Sequence, residues 1–457
     1  MKEKQTNGSN TFSSKVGFIL AAAGSAVGLG NLWRFPYLAA KYGGGIFLLI
    51  YLVLAVTFGF ALMITEIAIG RKTGKSALGA FASLNKKYTF LGYMACLVPV
   101  IIFPYYCVIG GWVLKYALVF VKNDVAAATG SSYFSDFIGG TTEPVVLLVI
   151  FMIASAAIVV MGVQKGIEKA SKILMPTLII LSIFIAVYVM TIDGAKEGIL
   201  YYIKPDFRRF SMNAVFAAMG QLFYSMSLAM GIMITYGSYM SKNDHLETCV
   251  GQIEIFDTGI AFVAGLIIIP SVFAFSNGDT DALLCSGPSL MFVTLPNVFA
   301  SMKFGRVIGT AFFILVLFAA LTSAISLMET LVSMLQEKLN LSRVKLCLIV
   351  ILVSMLLAVP SALGFGAWSG IKLIGMDILD FFDFISNSVL MPIVAFLTCI
   401  FAGYIIKPEA IKEEVELDGA PFHRKRLYRV LIRYIAPVCL ILILITSILN
   451  TLGINKL

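Results

Sequence analysis

The residue types best suited to chemistry in this chain are gathered in one stretch, 24–36, which reads GSAVGLGNLWRFP. Gly24, Gly28 and Gly30 stand close together and are followed by Asn31, Arg34 and Pro36. Glycine weakens a helix, and Pro36 cannot donate to one. Yet the stretch lies inside an apolar run from Val16 to about Ala40, long enough to cross a bilayer. A cation at that depth is costly unless it faces a cavity or a partner. Broken backbone survives in a membrane only where protein buries it or water lines it. If the backbone is broken here, the chemistry on offer is binding at the groups that the break leaves free. Two readings stay open on these residues alone. Either two half-helices meet at a binding site, or the glycines form a packing face with Arg34 at the interface.

Little else in the chain is reactive. The seven cysteines are scattered without paired spacing, so neither a disulfide framework nor a metal site is expected. His245 and His423 are the only histidines, which argues against a histidine metal site or relay. No nucleophile–base set stands out, and an enzyme is not expected. Thr322 and Ser323, taken alone, are ordinary helical hydroxyls bonding back to their own helix.

The elements that must position these residues are membrane helices. Of 457 residues, 59% are hydrophobic and 13% charged, with a mean hydropathy of +0.94. The charged share is about half that of soluble domains. These values predict an all-α polytopic membrane protein, a single transmembrane domain over 1–457 set in the lipid bilayer. The opening MKEKQTNGSNTFSSK is polar and the first apolar segment is long, so no cleavable signal peptide is expected. The net charge of +9 reads as membrane topology and not as a nucleic-acid signal.

Apolar segments fall at roughly 16–40, 44–70, 89–121, 144–162, 167–192, 212–240, 247–275, 304–337, 343–360, 374–405 and 429–453, about eleven spans. The short apolar run at about 289–302 is expected to be a re-entrant or surface hairpin. Basic loops at 71–87 and 407–429 share a side with the N-terminus. That places the N-terminus in the cytoplasm and, with an odd span count, the C-terminus outside. The loop near 196–209, with Lys196, Lys204, Arg208 and Arg209, is the outer exception. The sixth span, GQLFYSMSLAMGIMITYGSYM at 220–240, is interrupted at 225–231 by Ser, Ala and Gly. Interrupted first and sixth spans suggest two five-helix halves in opposite orientation, at about 16–192 and 212–405, with the helix at about 429–453 added.

With these residues in view, the chain resembles the neurotransmitter:sodium symporter family, of the bacterial leucine-transporter (LeuT) type. The resemblance rests on GSAVGLGNLWRFPYLAAKYGGGIF at 24–47, ITEIAIGR at 64–71, Tyr105–Tyr106, GQLFYSMSL at 220–228, ITYGSYM at 234–240 and ALTSAISLM at 320–328. It implies a LeuT-like fold in the cell inner (plasma) membrane and sodium-coupled import of an amino acid by alternating access. Carried over by position, it implies two sodium ions. The first would be held by the Ala26 carbonyl, Asn31, Ser225 and Asp257. The second would be held by the carbonyls of Gly24, Val27 and Ala319 and the hydroxyls of Thr322 and Ser323.

The same resemblance places a substrate carboxylate at the Leu29 and Gly30 amides and the Tyr106 hydroxyl, and its ammonium at carbonyls near Ala26, Tyr224 and Ser227. Gly28, where monoamine carriers have aspartate, leaves room for that carboxylate. Ser25, Ile102, Tyr224, Met230, Ser323, Ser326 and Leu327 would form a side-chain pocket. It is mostly apolar, with no charge to pair a charged side chain, which implies a neutral, hydrophobic amino acid. Ala229 stands in the sixth-span break where glycine is common. A carboxylate at Asp257, beside Ala261, implies that chloride is not required.

Arg34 and Asp383 match an outer gate, Asp380 being a competing partner, with Tyr106 and Tyr224 as the lid beneath. Tyr239 and Glu337 match an inner network, and Glu329 stands where a glutamine is often found. Here the pattern departs, because Ser9 and Phe12 occupy the family's N-terminal arginine and tryptophan positions. Lys4 or Lys15 would have to substitute, or the inner gate is looser. Gly166 and Pro176 carry the spacing by which family members unwind the fifth span. The alternatives are a sodium symporter for a betaine-like zwitterion, which would need an aromatic cage, and a non-transporting amino acid sensor.

Overall fold

The computed structural model describes residues 11–130, 132–275 and 288–451. Each apolar segment expected to span is helical, and nine helices are long and apolar enough to cross a membrane among the described residues. The first segment is a bent pair, α1 (Lys15–Ala26) and α2 (Gly30–Lys41), with 52° between its halves. Next come α3 (Gly45–Thr73), α4 (Lys86–Val121), α5 (Glu143–Val160) and α6 (Val163–Met190). The sixth segment is a second broken pair, α7 (Met212–Ser225) and α8 (Ile232–Ser238), whose halves are each too short to span. Then follow α9 (Leu246–Phe275), the short α10 (Leu290–Ser301), α11 (Gly305–Lys338), α12 (Arg343–Leu363), α13 (Ile378–Ile405) and α14 (Lys425–Leu449).

The two broken pairs occupy the centre. Ser14 starts α1 by accepting a hydrogen bond from the Gly17 amide at 3.1 Å. Residues 21–30 are buried without exception. Their small side chains let α6, α9 and α11 close in around α1. The helix stops at Ala26 because the Gly28 amide turns to Asn31 Oδ1 at 3.1 Å, away from the Gly24 carbonyl four residues back. Pro36 then sits at the start of the α-helical part of α2, where its missing N–H is not needed.

α7 likewise opens on a cap, Ser211 accepting from Ala214 N at 3.1 Å. It ends at Ser225, after which Ser227, Ala229 and Gly231 all take left-handed backbone (φ 54°, 60° and 73°). For Ser and Ala that conformation costs about 1–2 kcal/mol each. Two contacts offset the cost. The Ala229 amide donates to Glu66 Oε1 at 2.7 Å, and Ser227 Oγ donates to the Ser25 carbonyl at 2.9 Å. The strained backbone is thus over-determined by its neighbours.

α8 lies along α3 at backbone contact. A Cβ on Gly70 would run into the Ile234 carbonyl, and one on Gly237 into that of Ile67. At the end of α3 the buried Arg71 reaches Glu414 Oε1 (2.8 Å), the Glu414 carbonyl and the Asp244 carbonyl (2.7 Å). The basic loops at 71–87 and 407–429 therefore lie at one end of the bundle. At the other end Tyr201 OH donates to the Ala40 carbonyl at 2.6 Å, which brings the 196–209 loop there.

The expected hairpin at 289–302 is instead the single short helix α10. Its Phe292 is fully buried, stacked on Phe134 at 5.1 Å and tilted against Tyr116 at 5.1 Å. An aromatic cap over the bundle explains the apolar run without a hairpin.

Candidate substrate and ion site

Between the two breaks lies a cavity of about 30 Å³. Twelve of the expected substrate residues line it: Ser25, Ala26, Gly28, Leu29, Gly30, Ile102, Tyr106, Tyr224, Ser227, Met230, Ser323 and Leu327. Ile232 also lines it and was not expected. Two expected residues stand outside. Ser225 faces Asp257, and Ser326 lies behind the wall, accepting from Ser25 Oγ at 2.7 Å. The polar end is built from broken backbone, with the Leu29 amide directed at Tyr106 OH at 3.4 Å. The other end is apolar, from Ile102, Met230, Ile232 and Leu327. A Cβ on Gly28 would lie 2.6 Å from Ser323 Oγ and 3.1 Å from Tyr106 OH. A Cβ on Gly30 would press on the Tyr224 ring at 2.6 Å. Both glycines are demanded by close approach.

Behind the cavity, Asp257 on α9 is fully buried. Its Oδ1 accepts from Asn31 Nδ2 (2.7 Å) and Ser225 Oγ (2.7 Å), and its Oδ2 from Tyr51 OH (3.3 Å). Three of the four residues expected at the first ion are therefore in direct contact. Ala26 lines the adjoining cavity. Tyr51 was missed, since a tyrosine in an apolar third helix carries no local signal. Among the described residues no Lys or Arg forms an ion pair with Asp257. A buried carboxylate served only by neutral donors is a negative centre that fits a small hard cation, which prefers oxygen ligands. Gln221 Nε2 donates to the Gly30 carbonyl at 2.8 Å and ties α7 to α2.

The second expected set is brought together in part. Gly24 faces Thr322, since a Cβ there would lie 3.3 Å from Thr322 Cβ and 3.3 Å from Met175 Cγ of α6. Thr322 Oγ1 donates to the Ala319 carbonyl at 3.0 Å and the Phe318 carbonyl at 3.1 Å, which is ordinary back-bonding. Ser323 Oγ is turned to the Ser25 carbonyl at 3.1 Å. Val27 lies fully buried in the break itself. The stretch 166–176 of α6 is helical here, a π-helical turn (Val163–Glu168) leading into α-helix with Pro176 inside.

The gates differ from expectation. Arg34 is not paired with Asp383 or Asp380. Its guanidinium lies 5.4 Å from the Tyr224 ring centre, while Asp383 accepts from Asn387 Nδ2 (2.6 Å) and Tyr105 OH (3.2 Å). Arg34, Asp380 and Asp383 instead line an outer cavity of about 300 Å³ above Tyr224.

At the end of the bundle expected to face the cytoplasm, called the inner end, Tyr239 OH donates to Glu329 Oε1 at 2.7 Å, and Arg343 pairs with Glu329 Oε2. Glu337 does not join this network. It lies further along α11 and accepts from the Ser76 amide, holding the loop after α3. Phe12 fills the inner mouth, its ring 5.6–6.2 Å from those of Phe18, Tyr236 and Tyr239. Lys15 begins α1. Ser9 and Lys4 lie outside the described residues.

Comparison with known proteins bears on the family and the fold. The profile of the sodium:neurotransmitter symporter family matches residues 9–138 and 134–456. The sodium-dependent transporter YhdH of Bacillus subtilis (strain 168) is 32% identical over 451 residues, 97% of this chain and 98% of its own. A sodium-dependent transporter of Haemophilus influenzae is 31% identical over 454 residues, 96% of this chain and 98% of its own. The crystal structure of MhsT in complex with L-phenylalanine superposes with a TM-score of 0.87 at 37% identity, over 96% of this chain and all of that one. The fold is thus the LeuT-like all-α fold expected. A family match along nearly the whole length, relatives above 30% identity and a shared fold lead to one conclusion: this chain belongs to the sodium:neurotransmitter symporter family.

Proposed function

We propose that the chain is a sodium-coupled symporter that carries a neutral, hydrophobic amino acid into the cell, two sodium ions being carried with it. The observation that carries this reading is Asp257, a buried carboxylate among Asn31, Ser225 and Tyr51 with no cationic side chain paired to it among the described residues. A cation that enters from the outer cavity would supply the missing charge. Its arrival would fix Asn31 and Ser225, and through them the breaks that build the substrate cavity. The second ion would draw on Gly24, Val27, Ala319, Thr322 and Ser323.

The substrate's carboxylate would lie at the Leu29 and Gly30 amides and at Tyr106 OH, with the helical dipole of α2 favouring an anion. Its side chain would enter the end lined by Ile102, Met230, Ile232 and Leu327. MhsT, which shares the fold, was crystallised with L-phenylalanine, and that supports a large apolar substrate. Asp257 would also take the place of chloride in balancing the ions. We assign about 16–192 and 212–405 to two inverted halves around this site, with the N-terminus cytoplasmic and the C-terminus outside.

The test is uptake into proteoliposomes of a panel of radiolabelled neutral amino acids under an inward sodium gradient, then with potassium in its place. Sodium-driven accumulation of apolar members, unchanged when gluconate replaces chloride, is the expected result. Asp257→Asn should abolish sodium-promoted binding. Accumulation that is indifferent to sodium, or a substrate set confined to betaine-like solutes, would overturn the reading.

A further inference from the structure

A second cavity lies further along α11 toward the inner end. It holds about 230 Å³ between α4, α11 and α12. Of the residues lining it, only Tyr93, Cys96, Ser354 and Lys338 carry an N–H, O–H or S–H. Water in it would find too few polar partners to stay. Tyr93 (54% exposed) and Val353 (48% exposed) stand at the surface of the bundle. Both belong to helices that span the membrane, so the opening faces acyl chains.

The mouth carries a free charge. Lys338 is exposed at the end of α11, its Nζ 6.0 Å from the centre of the Tyr93 ring. Among the described residues it forms no ion pair, and its neighbour Glu337 is engaged by the Ser76 amide. Lys345, in the first turn of α12, is exposed at the same end. A lysine there lays its stem along apolar surface and holds its ammonium at the head groups. Basic groups beside an opening between helices suit an anionic head group.

The back wall is thin. Met334 lines this cavity, and a Cβ on Gly231 would lie 2.9 Å from Met334 Cε and 2.8 Å from Ala77 Cβ. Gly231 ends the break of the sixth span in left-handed backbone, φ 73°, and its neighbour Met230 lines the substrate cavity. On α11, Leu327 faces the substrate cavity and Leu331, one turn on, faces the second.

We propose that this crevice takes one acyl chain of an anionic phospholipid from the leaflet at the inner end, with the phosphate at Lys338, and that the chain holds Met334 against Gly231. Without the chain, Met334 is an adaptable side chain beside empty space, and Gly231 loses a packing partner. Bound lipid therefore steadies the sixth-span break and strengthens substrate binding. The effect on substrate rests on the transport reading above; the lipid site does not.

The test is photo-cross-linking of the full-length protein in nanodiscs, with a diazirine in the acyl chain of phosphatidylglycerol or of phosphatidylcholine, mapped by peptide mass spectrometry. Phosphatidylglycerol should label 93–100, 331–338 and 349–354 several-fold more than phosphatidylcholine at equal content. Lys338→Gln should bring its labelling down to the phosphatidylcholine level. Ser354→Phe, which puts a ring into the crevice, should lower labelling by both. Half-saturating L-phenylalanine, measured by equilibrium binding in sodium, should fall several-fold when phosphatidylglycerol is present. Met334→Ala should lose that dependence and keep the labelling.

Equal labelling by the two lipids would overturn the site, as would labelling confined to the exposed face of α12 at Leu348, Leu352 and Leu356. Should Ser354→Phe fail to fold, Lys338→Gln, at the surface, carries the test. L-phenylalanine binding that ignores lipid, beside labelling that depends on Lys338, would overturn the coupling through Met334. Labelling that depends on Lys338 in a protein that binds no apolar amino acid supports the lipid site and removes the transport reading instead.

Discussion

The inner and outer ends of the pathway are held in different ways. At the inner end, distant segments converge on buried carboxylates: Tyr239 and Arg343 on Glu329, and Ser13, Ser14 and Lys172 on Glu168. At the outer end Arg34 and Asp383 face a cavity of about 300 Å³ and do not meet. One end is closed by desolvated charges that each need their partner, so it should open as a unit. The other depends on a few side chains at water, which move independently and cost little to rearrange.

That contrast can be broken at its strongest point by Arg343→Ala, which leaves the fully buried Glu329 with Tyr239 alone. The expected loss is about 3–5 kcal/mol of the closed inner state, measured as a drop in denaturant or thermal midpoint and faster exchange around Phe12. A variant as stable as the parent would mean the inner end is not held by charge at all. Tyr239→Phe removes one hydrogen bond to the same carboxylate and should cost about 1.5–3 kcal/mol, seen in the same assays.

Arg34→Gln at the outer end should lower stability least. It removes a cation–π contact worth about 0.5–1 kcal/mol at a wet site. The effect should appear as a modest rise in KM for uptake, with half-saturating sodium unmoved. If Arg34→Gln destabilises the protein as much as Tyr239→Phe, the two ends are alike after all.

Much of this was legible in the sequence, for physical reasons that also explain what was not. Hydropathy locates helices well because a bilayer fixes their length, and the breaks announce themselves by residues no plain span would carry, as at Gly28 and Asn31 or Ser227 and Ala229. The Asp257 cluster followed from family positions on α2, α7 and α9. Tyr51 and Ile232 did not, since an apolar or aromatic residue in an apolar helix says nothing about which neighbour it meets. Glu329 and Glu337 were both read at the inner network; of the two, Glu329 meets Tyr239 and Arg343, and Glu337 meets the Ser76 amide. The two lie on one helix, and only the path of α12 decides which of them meets Arg343. Arg34 and Asp383 were legible as residues but not as a distance.

The buried contact between Arg71 and Glu414 has a consequence for how the chain is made. The partners are 343 residues apart in sequence. At about 5–20 residues per second, Arg71 waits on the order of tens of seconds for Glu414 to leave the ribosome. During that time the guanidinium that will sit dry at the end of α3 stays hydrated at the membrane surface. The loop that follows α3, made early, thus gains its last partner for Arg71 only near the end of synthesis, after the Asp244 carbonyl.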